Sequence, residues 1–255
     1  MTTAEIVRGD RSGGATTSHT ILVPALELLL REVGTHAAAS DYEQAVLEDN
    51  ILGKGTIESR RRTLRYLREL YVLRNNSLLF RALSGLWTDD PVGQPLLAGL
   101  CALARDPVFR ASAQAIFDSE PGDPVTSANL AEAVGKTFPD AYSDSTLAKT
   151  GRNTFSSWEQ TGHLRAVART GKVRQRAMCT PATTAFALLL GHLEGASGAA
   201  LFDTLWARAL DRPKAHLIDM AAAASKRSLI DFRHSGGISE VTFTELLRPM
   251  EEHLL

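Results

Sequence analysis

The chain has few cysteines, no long uninterrupted apolar run and no excess of charge of either sign. Its two cysteines among 255 residues, Cys101 and Cys179, lie in apolar surroundings, which predicts reduced core thiols without a redox or metal role. His192 and Glu194 break the longest apolar stretch before it could span a bilayer, and the first apolar run begins only at Ile21. We therefore expect a soluble, cytoplasmic protein with no membrane partner.

The overall charge excludes a global electrostatic signature for nucleic acid. Lys and Arg number 28 against 29 Asp and Glu. A polyanionic partner would therefore have to be met by a local basic patch.

Motifs for nucleotide or metal chemistry are also lacking. The stretches "ILGKGT" and "ARTGKV" lack the spaced first glycine of a phosphate-binding loop, and no Gly-x-Ser-x-Gly elbow occurs. The seven histidines are scattered without metal-ligand spacing. A group of nearby acids is more simply the polar side of a helix than a nuclease metal site: Asp41, Glu43, Glu48 and Asp49. We predict a non-enzymatic protein without a cofactor.

The N-terminal half has helical periodicity. Residues 1–19 are polar and glycine-rich, which predicts a disordered tail, and residues 20–118 are expected to form a helical domain. Its longest predicted helix runs from Thr56 to about Leu86, with an apolar stripe of Leu64, Leu67, Tyr71, Leu78 and Leu79. The segment "DSEPGDPVT", residues 118–126, is the predicted domain boundary because of its prolines, glycine and acids.

After this boundary the sequence pattern changes to short predicted helices that alternate with short strand-like runs. Two predicted helices, "SANLAEAVGKTF" and "SDSTLAKTGRNTFSSWEQTG", precede two short runs that flank the turn "RTGK", and a third helix follows. Helix, turn, helix and hairpin is the order of a winged helix-turn-helix, which we predict for residues 126–195. The fold class is thus mainly α, a helical N-terminal bundle followed by winged units with short β-hairpin wings.

The order recurs less sharply in residues 196–255. "GAALFDTLWARAL" and "PKAHLIDMAAAASKR" are predicted helices, and "SLIDFRHSGGISEVTF" is a predicted hairpin whose turn carries two glycines. Its apolar positions are Ile230, Phe232, Ile238, Val241 and Phe243. These features predict a second helical or winged unit.

The second helix of the first winged unit has two different sides. Ser143 or Asp144 can cap it, and one face carries Leu147, Gly151, Thr154, Phe155 and Trp158, which can pack inward. The opposite face carries hydrogen-bonding side chains and no acid: Ser145, Thr146, Lys149, Arg152, Asn153 and Ser156. Such residues bind phosphates and base edges in the major groove, so this face is a candidate DNA-reading surface.

The predicted wing adds to the local positive charge. Between Asp144 and Arg176 there are seven Lys or Arg against two acids, and the turn carries Arg169 and Lys172. These two side chains are predicted to contact flanking phosphates or a minor groove. The alternative is a winged unit used for protein contacts, its basic face merely solvated.

A second basic segment lies in the N-terminal half. From Lys54 to Arg74 there are seven Lys or Arg against two Glu, and Thr56 is a natural N-cap. Arg60, Arg61, Arg65 and Arg68 are candidates for DNA-backbone contacts, although such a run is more often a solvated or ion-paired face.

Three segments resemble the BrxA family, small DNA-binding components of BREX bacteriophage-defence systems. They are "AVLEDNILGKGTIESRRRTLRYL", "YSDSTLAKTGRNTFSSWEQTGHL" and "LIDFRHSGGISEVTF". The resemblance spans most of the chain from about Ile21. It implies a mostly helical protein with winged helix-turn-helix character that binds double-stranded DNA beside a DNA methyltransferase and other defence proteins.

Two other function classes stay open. One is a protein–protein adaptor within a defence complex, and the other is a winged-helix transcription regulator. The sequence leaves open the oligomeric state and whether the C-terminal unit also binds DNA.

Overall fold

The computed structural model describes residues 6–9, 12–168 and 171–247, and the fold is mainly helical with small antiparallel sheets. The α-helices are α1 Val23–Val33, α2 Ala39–Leu47, α3 Ile57–Tyr71, α4 Leu78–Trp87, α5 Gln94–Arg105, α6 Pro107–Phe117, α7 Ser127–Thr137, α8 Asp144–Gln160, α9 Pro181–Leu193, α10 Leu205–Ala209 and α11 Lys214–Lys226. Short 3₁₀ helices span Ala15–Thr17 and Gly198–Asp203. The strands are β1 Pro124–Val125, β2 Leu164–Val167, β3 Gly171–Arg174, β4 Asp231–Ser235 and β5 Ile238–Thr242.

Helix starts follow local capping signals in the sequence. The Thr56 hydroxyl accepts a bond from the Ser59 amide at 3.1 Å and begins α3. Pro107 occupies the first turn of α6, where its missing N–H costs nothing. The Asp106 carboxylate caps the same helix by accepting from the amides of Val108 and Phe109.

The prediction of a single helix from Thr56 to about Leu86 is wrong, because the helix is interrupted between α3 and α4. Val72 and Leu73 have φ values of 67° and 54°, which end α3. Leu73 is nevertheless buried, so packing offsets the cost of its left-handed backbone. The apolar stripe itself is confirmed, since its five residues are all buried on the two separate helices.

The segment predicted as a disordered tail is packed where the structure describes it. Ile6 and Thr16 are buried. The Arg8 guanidinium lies 3.0 Å from a Glu69 carboxylate oxygen, and the Thr16 amide donates to Asp106 at 2.8 Å. Tertiary partners, which local composition does not reveal, order this polar stretch.

A three-stranded antiparallel sheet lies beside α7 and α8, with the strand order β1-β3-β2. Arg165 pairs with Val173 across β2 and β3, and Pro124 pairs with Val173 across β1 and β3. The predicted boundary segment 118–126 thus supplies an edge strand. The hairpin predicted around "RTGK" is present in β2 and β3.

Helices α7 and α8 approach closely at Gly151. A Cβ at Gly151 would lie 2.2 Å from the Ser127 carbonyl oxygen, well inside contact distance. The packing of α7 against α8 therefore depends on a residue without a side chain at this crossing.

Replacement of Gly151 by alanine should lower the free energy of unfolding by about 1–3 kcal/mol, because the backbone must shift to admit the methyl group. The matched control is Gly85→Ala in α4, where nothing lies within 4 Å of the added Cβ. This control should stabilise the protein by about 0.5–1 kcal/mol through helix propensity. Urea unfolding of both variants checks the difference, and equal effects at the two positions would contradict the close packing.

The C-terminal part contains the predicted glycine hairpin. Gly236 and Gly237 have φ values of 57° and 82°, so two residues that tolerate left-handed backbone make the turn between β4 and β5. Ile238, a predicted apolar position of the hairpin, is 76% exposed, whereas Phe243 is buried. The helix predicted for "GAALFDTLWARAL" is instead a 3₁₀ helix followed by the short α10.

One large apolar cluster includes residues from all the predicted globular domains, among them Leu29, Phe109, Trp158, Phe186 and Trp206. The division into domains stays a prediction. Cys101 is buried within this cluster and burial raises its pKa to about 12, while Cys179 is half-buried. Across the described ranges, no helix has the length and apolar character needed to cross a membrane.

Candidate nucleic-acid interface

Helix α8 has the two-sided character that its sequence predicts. The Ser143 hydroxyl accepts from the Thr146 amide at 3.4 Å and begins the helix. Gly151, Thr154 and Trp158 are buried on the inner side, where Leu147 and Phe155 are half-buried. On the outer side Lys149 and Arg152 are exposed, and neither has a hydrogen-bond or ion-pair partner within the described part of the chain.

Two of the three candidate hydroxyl residues of α8 are less exposed than the two cations. Ser145 is exposed, and its hydroxyl lies 3.1 Å from that of Ser143. Thr146 is half-buried with its hydroxyl 3.0 Å from the same group. Ser156 is also half-buried, toward the other end of the helix.

The Asn153 side chain makes a long-range hydrogen bond that the sequence does not predict. Its Nδ2 donates to the Thr16 carbonyl oxygen at 2.9 Å. It therefore ties the N-terminal segment to α8, so the Asn153 side chain is not wholly free as the sequence predicts. One N–H of Nδ2 and the carboxamide oxygen keep their capacity to bind a ligand.

The Lys172 side chain, on β3, packs against α8 instead of extending into solvent. Its Nζ lies 2.8 Å from a Glu159 carboxylate oxygen, donates to the Phe155 carbonyl at 3.2 Å and lies 4.1 Å from the Phe155 ring centroid. Only 13% of its side chain is exposed, so it is no longer a free phosphate-binding cation. Arg169, the other predicted wing residue, lies outside the described residues.

Two of the four candidate arginines on α3 also have structural partners. Arg60 donates from Nη1 to the Leu47 carbonyl at 2.7 Å, which fixes the connection before α3. Arg68 forms an ion pair with Glu43 at 2.7 Å. Arg61 and Arg65 are exposed, and the Arg65 guanidinium lies 4.9 Å from the centroid of the Tyr66 ring.

The N-terminal 3₁₀ helix brings α3 and α8 to one surface. His19, just after it, has its ring centroid 5.6 Å from that of Tyr66 on α3. Its pKa is lowered from the usual value, first by burial and then by the positive charges of Lys54, Arg62 and Lys149. Cations of both predicted DNA-binding segments thus contribute to the lowered pKa of His19.

We define the basic surface as six side chains on α3, on α8 and in the loop before α3, three of which lie near His19: Lys54, Arg61, Arg62, Arg65, Lys149 and Arg152. Arg61 and Arg65 share one face of α3, and Lys149 and Arg152 share one face of α8. The exposed acids Glu58 and Asp144 lie in the first turns of the same two helices and partly offset the positive charge. The surface keeps a clear positive excess, which favours an anionic partner.

Sequence reasoning missed three residues of this junction. Arg62 belongs to the arginine run, and its place beside Arg61 was the available signal. Lys54 lies in the loop before α3, and His19 lies in the segment predicted as a tail. No local pattern marks either of them as a neighbour of α8.

Within the residues that the structure describes, no three His, Cys, Asp or Glu side chains are grouped so as to hold a metal ion. The chain matches no model of a known protein family, and no curated protein matches it.

Proposed function

We propose that this protein binds double-stranded DNA through the basic surface, with the outer face of α8 directed at the duplex. The observation that carries the proposal is that the N-terminal 3₁₀ helix packs against both α3 and α8 and so brings exposed cations of the two helices near His19. These two helices are far apart in sequence, yet the fold places their charges together. DNA, with closely spaced phosphates, is the partner that such a surface fits best.

The order of the surrounding elements supports a winged helix-turn-helix as the framework. Helix α6, strand β1, helices α7 and α8, and strands β2 and β3 follow one another in the chain. The first strand pairs with the third in the sheet order β1-β3-β2. In that framework α8 is the second helix of the helix-turn-helix, the one that enters the major groove in such folds.

The contacts on α8 favour phosphate binding over base reading. Asn153 uses one of its two amide N–H donors on the Thr16 carbonyl, and Lys172 forms an ion pair with Glu159. Long flexible cations remain, which attract phosphates whatever the sequence. We therefore propose affinity with strong salt dependence and modest sequence preference.

The biological setting that we propose is phage defence. The resemblance of three segments to the BrxA family supports a role beside a DNA methyltransferase and other defence proteins of a BREX system. The adaptor and the transcription regulator are the competing functions. Genomic neighbours would separate defence from transcription, and the DNA-binding experiment separates both from an adaptor.

The test compares wild type with a Lys149→Ala/Arg152→Ala variant in electrophoretic mobility assays with duplex DNA at several salt concentrations. Both side chains are exposed and unpaired, so folding should be unchanged. We expect at least about tenfold weaker binding, and a slope of log K against log salt that is smaller by about 2, one unit for each lost phosphate contact.

The control is Arg31→Ala/Lys226→Ala, which removes two exposed cations from α1 and α11 outside the basic surface. It changes net charge equally and should alter DNA affinity much less. Equal losses in the two variants would show a non-specific charge effect and contradict the proposed surface. No binding by wild-type protein would favour the adaptor.

A further inference from the structure

Four arginines from two parts of the chain, residues 174–176 and 208–212, line a separate cleft, and none of the residues of the basic surface lines it. The cleft has a volume of about 270 Å³. It lies between the end of α6, the following residues 119–121 and the connection from α10 to α11. The arginines are Arg174, Arg176, Arg208 and Arg212.

Arg174 forms the floor of this cleft and is structural. Its side chain is 3% exposed, with Nη2 2.9 Å from Oδ1 of Asp211. Its other nitrogens donate to the backbone carbonyls of Ile116, His163 and Gln175. This network fixes the position of Asp211 and of the residues that follow it.

The other three arginines keep donors free. Arg208 is exposed and its guanidinium lies 4.6 Å from the Phe117 ring centroid, which holds the side chain against the cleft wall without using its N–H groups. Arg212 donates one bond, from Nη1 to the Asp211 carbonyl at 2.9 Å. Arg176 is exposed, and none of the three is ion-paired within the described ranges.

The charge balance of the cleft is positive even when its acids are counted. Glu120 and Asp211 also line it, and Asp211 is already neutralised by Arg174. Pro213 lines the cleft as the N-cap of α11, a helix start without a side-chain cap. The free amides of that first turn add partial positive charge beside the arginines.

We propose that this cleft binds a phosphate group, with Arg208, Arg212 and Arg176 as its ligands. Guanidinium forks match phosphate oxygens in pairs, and three forks that line one cleft can surround one tetrahedral anion. Arg174 positions the site and does not contact the ligand. The phosphate belongs either to a small phosphorylated molecule or to a DNA backbone that extends past the basic surface.

The experiment titrates the full chain with inorganic phosphate, adenosine 5′-monophosphate and adenosine by calorimetry at constant ionic strength. The variant is Arg208→Gln/Arg212→Gln, which removes both positive charges but keeps a polar side chain at each position. We expect both phosphate-bearing probes to bind wild type and adenosine not to bind. In the variant their affinity should fall by at least about tenfold, as expected for lost charge-assisted bonds. The Lys149→Ala/Arg152→Ala variant should bind both probes like wild type.

The mobility assay with the same Arg208→Gln/Arg212→Gln variant identifies the source of the phosphate. Unchanged DNA binding together with lost binding of the small probes assigns the site to a small phosphorylated ligand. If the small probes give no binding signal with wild type, while the variant binds DNA more weakly and with a smaller salt slope, the site is assigned to the DNA backbone. If the variant changes neither measurement, the proposal is overturned, whatever the basic surface does.

Discussion

Replacement of Trp158 by alanine should lower the free energy of unfolding by about 3–5 kcal/mol. Trp158 is fully buried on the inner face of α8, with its ring centroid 4.6 Å from that of Phe109 on α6. Its Nε1 donates to the Ser112 hydroxyl at 2.9 Å. The alanine variant therefore loses a large apolar contact and leaves a cavity between α8 and α6. Urea denaturation at neutral pH measures the loss.

Trp158→Phe is the matched control for the ring contact. It removes the indole N–H but keeps an aromatic ring, and the Ser112 hydroxyl still has its bond to the Phe109 carbonyl at 2.6 Å. We expect a clearly smaller loss than for alanine. If the alanine variant were as stable as wild type, Trp158 would not be the anchor of α8.

A His163→Gln variant should lose part of the acid sensitivity of the protein. His163 is fully buried, with Nδ1 2.7 Å from the Thr161 hydroxyl and Nε2 2.9 Å from the Ala209 carbonyl. A carbonyl only accepts, so Nε2 carries the proton in the neutral ring, and Nδ1 faces the Thr161 hydroxyl, whose single proton also has the Trp158 carbonyl as an acceptor at 2.9 Å. Burial first, and then the nearby charge of Arg174, lower the His163 pKa to about 3.

The direction of the pH effect follows from this lowered pKa. Unfolded His163 takes up a proton near its ordinary value of about 6.5, whereas the folded ring stays neutral down to about pH 3. The unfolded state binds more protons between these values, so stability falls as pH falls through this window. From pH 7 to pH 5 this residue alone should remove about 2 kcal/mol from the free energy of unfolding.

The measurement is urea unfolding of wild type and His163→Gln at pH 7 and pH 5. The variant should be less stable at pH 7, because a fitted ring is lost, but its drop between the two pH values should be smaller by about 2 kcal/mol. Other titrating groups, including His19, are common to both proteins and cancel in the comparison. An identical pH dependence would contradict a buried neutral His163.

These inner contacts also set the direction of the outer face of α8. Trp158 joins the helix to α6 through Ser112, and His163 joins its C-terminal end to Ala209 of α10. A helix held at both places has little freedom to rotate. Lys149 and Arg152 are therefore presented outward by packing beneath them.

The candidate site was predictable as two separate basic segments. Side-chain type and helical spacing identified the outer face of α8 and the arginine run of α3, because both signals are local. Which cations stay free was not predictable. Arg60, Arg68 and Lys172 meet acceptors at Leu47, Glu43 and Glu159 that only the folded chain brings near.

The sequence by itself determined the starts of α3 and α8, the inward face of α8 and the hairpin turn at Gly236 and Gly237. Caps, periodicity and turn glycines act over a few residues, so a linear pattern carries them. Only the tertiary structure decided the break at Val72, the burial of Ile6 and Thr16, and the meeting of α3 with α8 beside His19. These depend on contacts between residues far apart in the chain, whose burial outweighs local preference.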